Sequence, residues 1–306
     1  MAIKIALVGA GWWAHSVHGP MDKHFSGTDL VGIWARSPEK GQAFADELGV
    51  PYFSDFHALL NECDAVDFAV PPNVQAAMAL EAARRGKALI LEKPLALDLA
   101  NARALAETVD ALSLPTVACF TRRFSPEADA FVATAHQWEL ANALLGIQAT
   151  YLSNGLLPQG ALPPSGTWRH ELYGSMQDLT PHVMNLAIHA LGPVVHVQGV
   201  AGRFSAYTAV HASGAVTTVN LSSLTATDGG DIFRESLCST QGIATFDDAA
   251  VDHTAAWQRI HSEFVSAVEN GTKPTADIFD ELAVQEVIEA VIRSHKSRQA
   301  IHIADL

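Results

Sequence analysis

With 306 residues, the chain has room for two domains of ordinary size. Its 49% apolar and 17% charged residues exclude a disordered polypeptide. The balance of 19 Lys and Arg against 33 Asp and Glu, a net −14, excludes nucleic acid as a main partner, because such a protein repels a phosphate backbone; a phosphate-bearing cofactor held by local N–H groups is still allowed.

Residues 3–8 form a run that is apolar except at Lys4 and is ended by glycine, which predicts a buried strand. A second run, 30–35, leads into a helix with Ser37 as a natural N-cap, Pro38 at the first helical position and Gly49 closing it. A helix-like stretch, SDFHALLNEC, precedes a third run at 65–70. A helix over 72–86 ending at Gly86, a run at 88–91, a helix at 98–112 and a run at 116–120 follow. Strands alternating with helices mean crossover connections and a parallel sheet covered on both faces. This block, 1–120, reads as one domain.

Beyond residue 120 the rhythm changes. SPEADAFVATAHQW predicts a helix, 146–153 a strand, 154–166 a Gly/Pro-rich loop and 176–191 a helix. Between 194 and about 246 strands are joined by short turns, with ASGA (212–215) as a hairpin signal, so neighbours pair antiparallel. Helices at 255–269 and 277–295 close the chain. The expected second domain, 121–306, binds substrate and mediates assembly. Cys63, Cys119 and Cys238 are odd in number, far apart and outside any C-x-x-C, which reads as reduced thiols in the cytoplasm. No apolar stretch reaches membrane-spanning length, and the first residues carry no charged leader, so neither a membrane nor secretion is expected.

Gly9-Ala10-Gly11-Trp12-Trp13-Ala14 is G-x-G-x-x-A between a strand and a probable helix. The first glycine permits a tight turn, the second lets a pyrophosphate approach the backbone, and the small Ala14 lets helix and strand pack closely. Trp12 and Trp13 sit where the middle of a dinucleotide belongs. The second strand ends at Ala35, where a carboxylate would bind a ribose 2′-hydroxyl; Arg36 and Ser37 follow instead. That exchange favours NADP, with NAD as second choice. The stretch LEKPLA (91–96) ends a buried strand with two charges, which is costly unless they are used. Asp178 and His182 share one face of a helix. Their i, i+4 spacing also suits a metal, but His189 is the one further candidate ligand and lacks support, so no metal is expected.

Together IALVGAGWWAHSVHGP, VPPNVQ, LEKPLA and DLTPHVMNLAIHALGP, in that order, make the chain resemble the Gfo/Idh/MocA oxidoreductases over nearly its whole length. The resemblance implies an α/β chain with an N-terminal Rossmann domain and a C-terminal α+β domain built on a large, mainly antiparallel open sheet. It implies hydride transfer between a nicotinamide and a hydroxyl or keto carbon of a sugar, cyclitol or related compound, in a homodimer or homotetramer. Lys93 would hydrogen-bond the reacting oxygen, with Glu92 holding it and Pro94 shaping the turn. His182 would take or give the hydroxyl proton, and Asp178 would orient its ring or bind substrate. Pro71 and Glu92 join Gly9, Gly11, Trp12, Trp13, Ala14, Arg36, Ser37 and Lys93 as cofactor-side residues. Arg123, Trp168, Arg169 and Asn185 are the substrate-side residues. The chain departs from the family at Tyr173-Gly174-Ser175, where Gly-Gly is common, at Gln75, where His is common, and at Asn185, where Asp is common. Two other readings are a dinucleotide-binding regulator without turnover, which predicts an incomplete catalytic set, and a redox-neutral glycoside hydrolase with tightly bound nicotinamide, which predicts no net change in nicotinamide absorbance.

Overall fold

The computed structural model describes residues 2–160, 162, 167–228 and 230–306. Part of the expected 154–166 loop, residues 161 and 163–166, lies outside the described residues. Two units emerge, Met1–Thr121 with Thr254–Leu282, and Arg122–His253 with Ala283–Leu306.

The first unit alternates as its apolar runs predict. β1 (Ile3–Val8) leads through a π-helical turn, Ala14–His18, into α1 (Gly19–His24). β2 (Thr28–Trp34), α2 (Pro38–Leu48), β3 (Tyr52–Phe53), α3 (Phe56–Glu62), β4 (Ala65–Phe68), α4 (Pro72–Arg84), β5 (Ala88–Leu91), α5 (Leu99–Leu112) and β6 (Thr116–Ala118) follow. The strands lie in the order β3-β2-β1-β4-β5-β6, each pair parallel. The order reverses between β1 and β4, and a crevice opens outside the carboxyl ends of strands at such a point. Val8, Val66, Phe68, Leu89 and Leu91 form a core with Ala76, Ala79, Ala83 and Leu105. The alanines allow α4 and α5 to pack closely. Ser37 caps α2 by accepting the Lys40 N–H, and Gly49 ends that helix in the left-handed region at φ 66°.

The second unit holds α6 (Pro126–Leu140), β7 (Leu144–Leu152), α7 (Gly174–Leu191), β8 (Val194–Val200), β9 (Ser205–His211), β10 (Val216–Ser222), β11 (Ile232–Ser239) and β12 (Gly242–Asp247). α8 (His253–Asn270), α9 (Ile278–Ser297) and β13 (Ile301–His302) complete the chain. The seven-stranded sheet runs β12-β11-β7-β10-β9-β8-β13 and is antiparallel except between β7 and β10. This agrees with the expected mainly antiparallel sheet. Alternation sends Ile147, Tyr151, Tyr207, Val219 and Phe233 to a buried face, with α7 packed on β7, β9 and β10. Gln148, Thr208, Thr218 and Ser236 line up in register on the other face.

Residues 254–282 return to the first unit. Trp257, Ile260 and Phe264 of α8 are buried. Ala118 donates its N–H to the Ala276 carbonyl at 3.1 Å, and Ile278 donates to Thr116 Oγ1 at 3.2 Å. These bonds cover the edge that β6 would otherwise expose. A sequence boundary at 120 contains no sign of this return, because an amphipathic helix does not name the surface it covers.

Candidate active site

Gly9 stands immediately after β1 with φ 136°. A Cβ there would lie 2.4 Å from the Ala69 carbonyl oxygen, so the turn passes too close to the end of β4 for any side chain. A Cβ on Gly11 would meet nothing within 4 Å, which leaves the backbone open to a ligand. Ala14 is fully buried and begins the π-helical turn that ends at His18. This wide turn carries His18 into the interior, with no exposure.

His18 links two strand ends. Its Nδ1 lies 2.7 Å from Asp67 Oδ2, on β4, and its Nε2 lies 3.2 Å from Glu92 Oε1, just after β5. Burial alone would lower the His18 pKa, but the two carboxylates outweigh it and raise it to about 10. The ring is therefore an imidazolium at neutral pH and donates to both. Trp13 Nε1 donates to the same Glu92 oxygen at 2.8 Å, which ties the glycine turn to the turn at Glu92-Lys93. Glu92 Oε2 accepts the Lys93 backbone N–H at 3.1 Å. Gln75, fully buried on α4, accepts the Glu92 N–H at 2.9 Å and donates to the Glu92 carbonyl. The amide at the position of the family's common histidine thus clamps the peptide before Lys93. The Lys93–Pro94 bond is cis.

Ala35 is buried at the end of β2, Arg36 is exposed, and Ser37 is occupied as the α2 cap. Pro71 occupies the N-cap position of α4. Trp12 is exposed and its ring lies 5.3 Å from that of Trp13. The open backbone at Gly11 and the absence of a carboxylate at Ala35 fit a dinucleotide with its pyrophosphate at the glycine turn.

In the second unit, α7 carries Asp178, His182 and Asn185 at i, i+4 and i+7. Arg169 Nε donates to Asp178 Oδ2 at 2.8 Å while its guanidinium lies 4.6 Å from the Trp168 ring centroid. Trp168 is buried. His182 Nδ1 lies 3.0 Å from a terminal nitrogen of Arg122. Arg122 also pairs with Asp248, Nε to Oδ1 at 2.9 Å, and donates to the Tyr151 hydroxyl at 3.3 Å. Burial works against its charge, but Tyr151 and Asp248 overcome this and raise its pKa. Burial pushes the Asp248 carboxyl up; His253 and Arg122 outweigh that and hold it below its usual value. Arg123 turns the other way and pairs with Asp129 at 2.8 Å. Asn185 is buried, and its Oδ1 has no hydrogen-bond partner among the described residues.

Three residues with a strong hold on these groups escaped the sequence reading, His18, Asp67 and Asp248, and of the adjacent pair Arg122-Arg123 the reading took Arg123 while Arg122 is the one that meets His182. Asp67 offered a signal, since it is the one charge inside the apolar run 65–70. Asp22, Asp67 and His261, all buried, have ligand-capable atoms within 4.8 Å of one another. They form part of this hydrogen-bonded interior, with His261 Nε2 3.1 Å from Asp22 Oδ1, and do not include Asp178, His182 or His189.

Residues 3–118 match the oxidoreductase family with an NAD-binding Rossmann fold. Those residues carry a Rossmann domain of the Gfo/Idh/MocA type. It is 24% identical over 188 residues to a glucose-6-phosphate 3-dehydrogenase of Bacillus subtilis, a match that spans 60% of this chain and about half, 52%, of that relative. It is 24% identical over 304 residues to a 4-carboxy-2-hydroxymuconate-6-semialdehyde dehydrogenase of a Sphingobium strain, across 90% of this chain and 93% of the relative. The fold is that of GenD2 from gentamicin A biosynthesis, solved with NAD, at a TM-score of 0.85, 19% identity and coverage of 98% and 96%.

Proposed function

We propose that the chain is an NADP-dependent dehydrogenase or reductase acting on a hydroxyl or keto carbon of a sugar, cyclitol or related compound, with Lys93, Asp178 and His182 as its catalytic groups. The observation that carries the reading is the Trp13–Glu92 bond at 2.8 Å, which joins the dinucleotide turn to the backbone that presents Lys93. Gly9, Gly11, Ala14, Trp12 and Trp13 would hold the dinucleotide, whose nicotinamide supplies or accepts the hydride. The Lys93 ammonium stabilises the negative charge that develops on the reacting oxygen. In the second unit, Arg169 with Asp178, Arg122 with His182, and the Asn185 carbonyl oxygen offer both donors and acceptors, which suits a compound with several hydroxyls. The sugar-phosphate relative supports a carbohydrate-like substrate. The test is a panel of sugars, sugar phosphates, cyclitols and hydroxy-aldehydes with each nicotinamide, followed by absorbance. Binding of dinucleotide with no turnover across the panel would favour a regulator; product formation without a nicotinamide change would favour the redox-neutral hydrolase.

NADPH should bind more tightly than NADH. The strand-end carboxylate that would bond a 2′-hydroxyl, and repel a 2′-phosphate, is replaced by buried Ala35, and Arg36 next to it is exposed. A charge-assisted contact from Arg36 is worth about 1.5–3 kcal/mol, or roughly ten- to a hundredfold in affinity. Ser37 contributes less than its hydroxyl suggests, because it already caps α2. Titrating both cofactors onto the wild type and Arg36→Ala decides the matter: equal affinities, or no selective loss of NADPH in the variant, would refute it.

We further propose that copies of the chain associate through the open face of the seven-stranded sheet. Its row of Gln148, Thr208, Thr218 and Ser236 is uncharged, and exposed apolar Val200, Ile232 and Ile243 lie on β8, β11 and β12 of the same sheet. Light scattering at micromolar concentration should give a dimer or tetramer, and Thr208→Arg with Thr218→Arg should shift it toward monomer. A monodisperse monomer of the wild type would dismiss this assembly.

A further inference from the structure

We infer that Arg122 fixes His182 as the tautomer carrying its proton on Nε2, so that His182 offers the substrate a hydrogen-bond donor rather than a base. The inference rests on the proposed oxidoreductase reading for its consequence, but not for its geometry. A guanidinium has five N–H donors and no acceptor. Its terminal nitrogen lies 3.0 Å from His182 Nδ1, so Nδ1 must supply the lone pair. A neutral ring whose Nδ1 accepts carries its proton on Nε2.

Arg122 is poorly placed to yield. Asp248 accepts from one terminal nitrogen at 2.9 Å, and its other carboxylate oxygen lies 2.9 Å from Nε as an ion pair without hydrogen-bond geometry. The Tyr151 hydroxyl accepts from Arg122 at 3.3 Å and donates to Asp231 at 3.0 Å. The guanidinium lies 4.6 Å from the Phe233 ring centroid and 5.1 Å from that of Tyr151. The His182 ring meets the Tyr151 ring edge-on at a centroid distance of 5.7 Å, which limits ring rotation. The opposite tautomer would set an N–H against an N–H beside a permanent charge. It would forfeit a charge-assisted bond, a bias of about ten- to a hundredfold in population.

The chemical consequence is specific. A base must present a lone pair toward the hydroxyl whose proton it takes, and Nε2 has none in this tautomer. His182 instead polarises the reacting oxygen by donating from Nε2, and the proton that this oxygen loses on oxidation or gains on reduction passes to or from the Lys93 amine. This departs from the proton-accepting role that the family resemblance implies for His182. Arg122 is then a positioning residue: it acts on the reaction through the ring it holds.

The test begins without substrate. Protein labelled with nitrogen-15 at histidine gives long-range proton–nitrogen correlations that distinguish the two tautomers, and the His182 signals are those lost in His182→Gln. Near neutral pH the wild type should show Nε2 protonated and Nδ1 bare. Arg122→Gln, whose amide can donate or accept, should give a mixture. An Nδ1-protonated or doubly protonated ring in the wild type overturns the inference, and so does an unchanged tautomer in Arg122→Gln. Should Arg122→Gln not fold, the wild-type spectrum alone still decides the first point. With a substrate from the panel, His182→Gln, a donor without basicity, should keep turnover within about tenfold of the wild type. His182→Phe should lose about 10²-fold or more. Equal losses in the two variants would also overturn it. An empty substrate panel would count against the proposed function and leave the spectrum unaffected.

Discussion

Lys93→Met should lower kcat by about 10²–10³-fold while leaving dinucleotide affinity close to that of the wild type. The size follows from removing one preorganised donor at an oxygen that gains charge in the transition state. The separation of rate from binding follows from how the turn is built. Its backbone is held by the Glu92 carboxylate on the Lys93 N–H, by Gln75 on both polar groups of the Glu92 peptide, and by His18 and Trp13 on the Glu92 carboxylate. These bonds are made by backbone groups and by other side chains, so methionine of similar length keeps each of them. Lys93→Arg should not rescue the rate, because a planar fork cannot replace a compact ammonium at one oxygen. The measurement is a pair of titrations: dinucleotide by tryptophan fluorescence, and turnover on a substrate found in the panel. Near-parental turnover in Lys93→Met would move the reaction away from this lysine. Equal loss of binding and rate would show that the lysine serves the cofactor and not the reacting oxygen.

What could be read in the sequence was what local chemistry determines. The apolar runs at 3–8, 65–70 and 88–91 became β1, β4 and β5 because buried parallel strands need apolar residues on both faces. Ser37, Pro38 and Gly49 bounded α2 because capping is a matter of a few neighbouring residues. The glycine turn was legible for the same reason, since only glycine tolerates the Gly9 contact with Ala69. Arg122 and Arg123 show where that legibility stops. They are adjacent in one short turn, and a rotation of one residue sends the first to His182 and the second to Asp129. Nothing in the local pattern distinguishes them. His18, Asp67 and Glu92 are separated by 49 and 25 positions, and His261 joins Asp22 from 239 positions away. Each of these is a polar residue whose meaning depends on a partner brought by topology. Asp67 could be flagged as an anomaly in a strand, but its partner could not be named.

That interior network gives the second large effect. His18→Phe should destabilise the first unit by about 3–5 kcal/mol, because removing one partner of a buried pair leaves carboxylates without compensation. Asp67 would lose its 2.7 Å partner and Glu92 Oε1 would keep only Trp13. The pH dependence identifies the cause. Despite the opposing effect of burial, Asp67 and Glu92 raise His18 from 6.5 to about 10, so the folded state holds a proton that the unfolded state releases. The stabilisation from this group is complete below pH 6.5 and falls as pH rises toward 10, by up to about 1.4 kcal/mol per unit. Asp22 acts in a lower window. Burial, then Asp67, raises it from 3.8 to about 7, so the cost of ionising it grows between those values and is constant above them. Denaturant unfolding of the first unit should therefore show stability declining with pH in both windows for the wild type. His18→Phe should lose the decline between 6.5 and 10. Other groups titrate in both proteins, so the difference between wild type and variant is the quantity to follow. A difference that stays constant from pH 6.5 to 10 would mean that His18 is buried without its proton, and that the two strand ends are held together by packing alone.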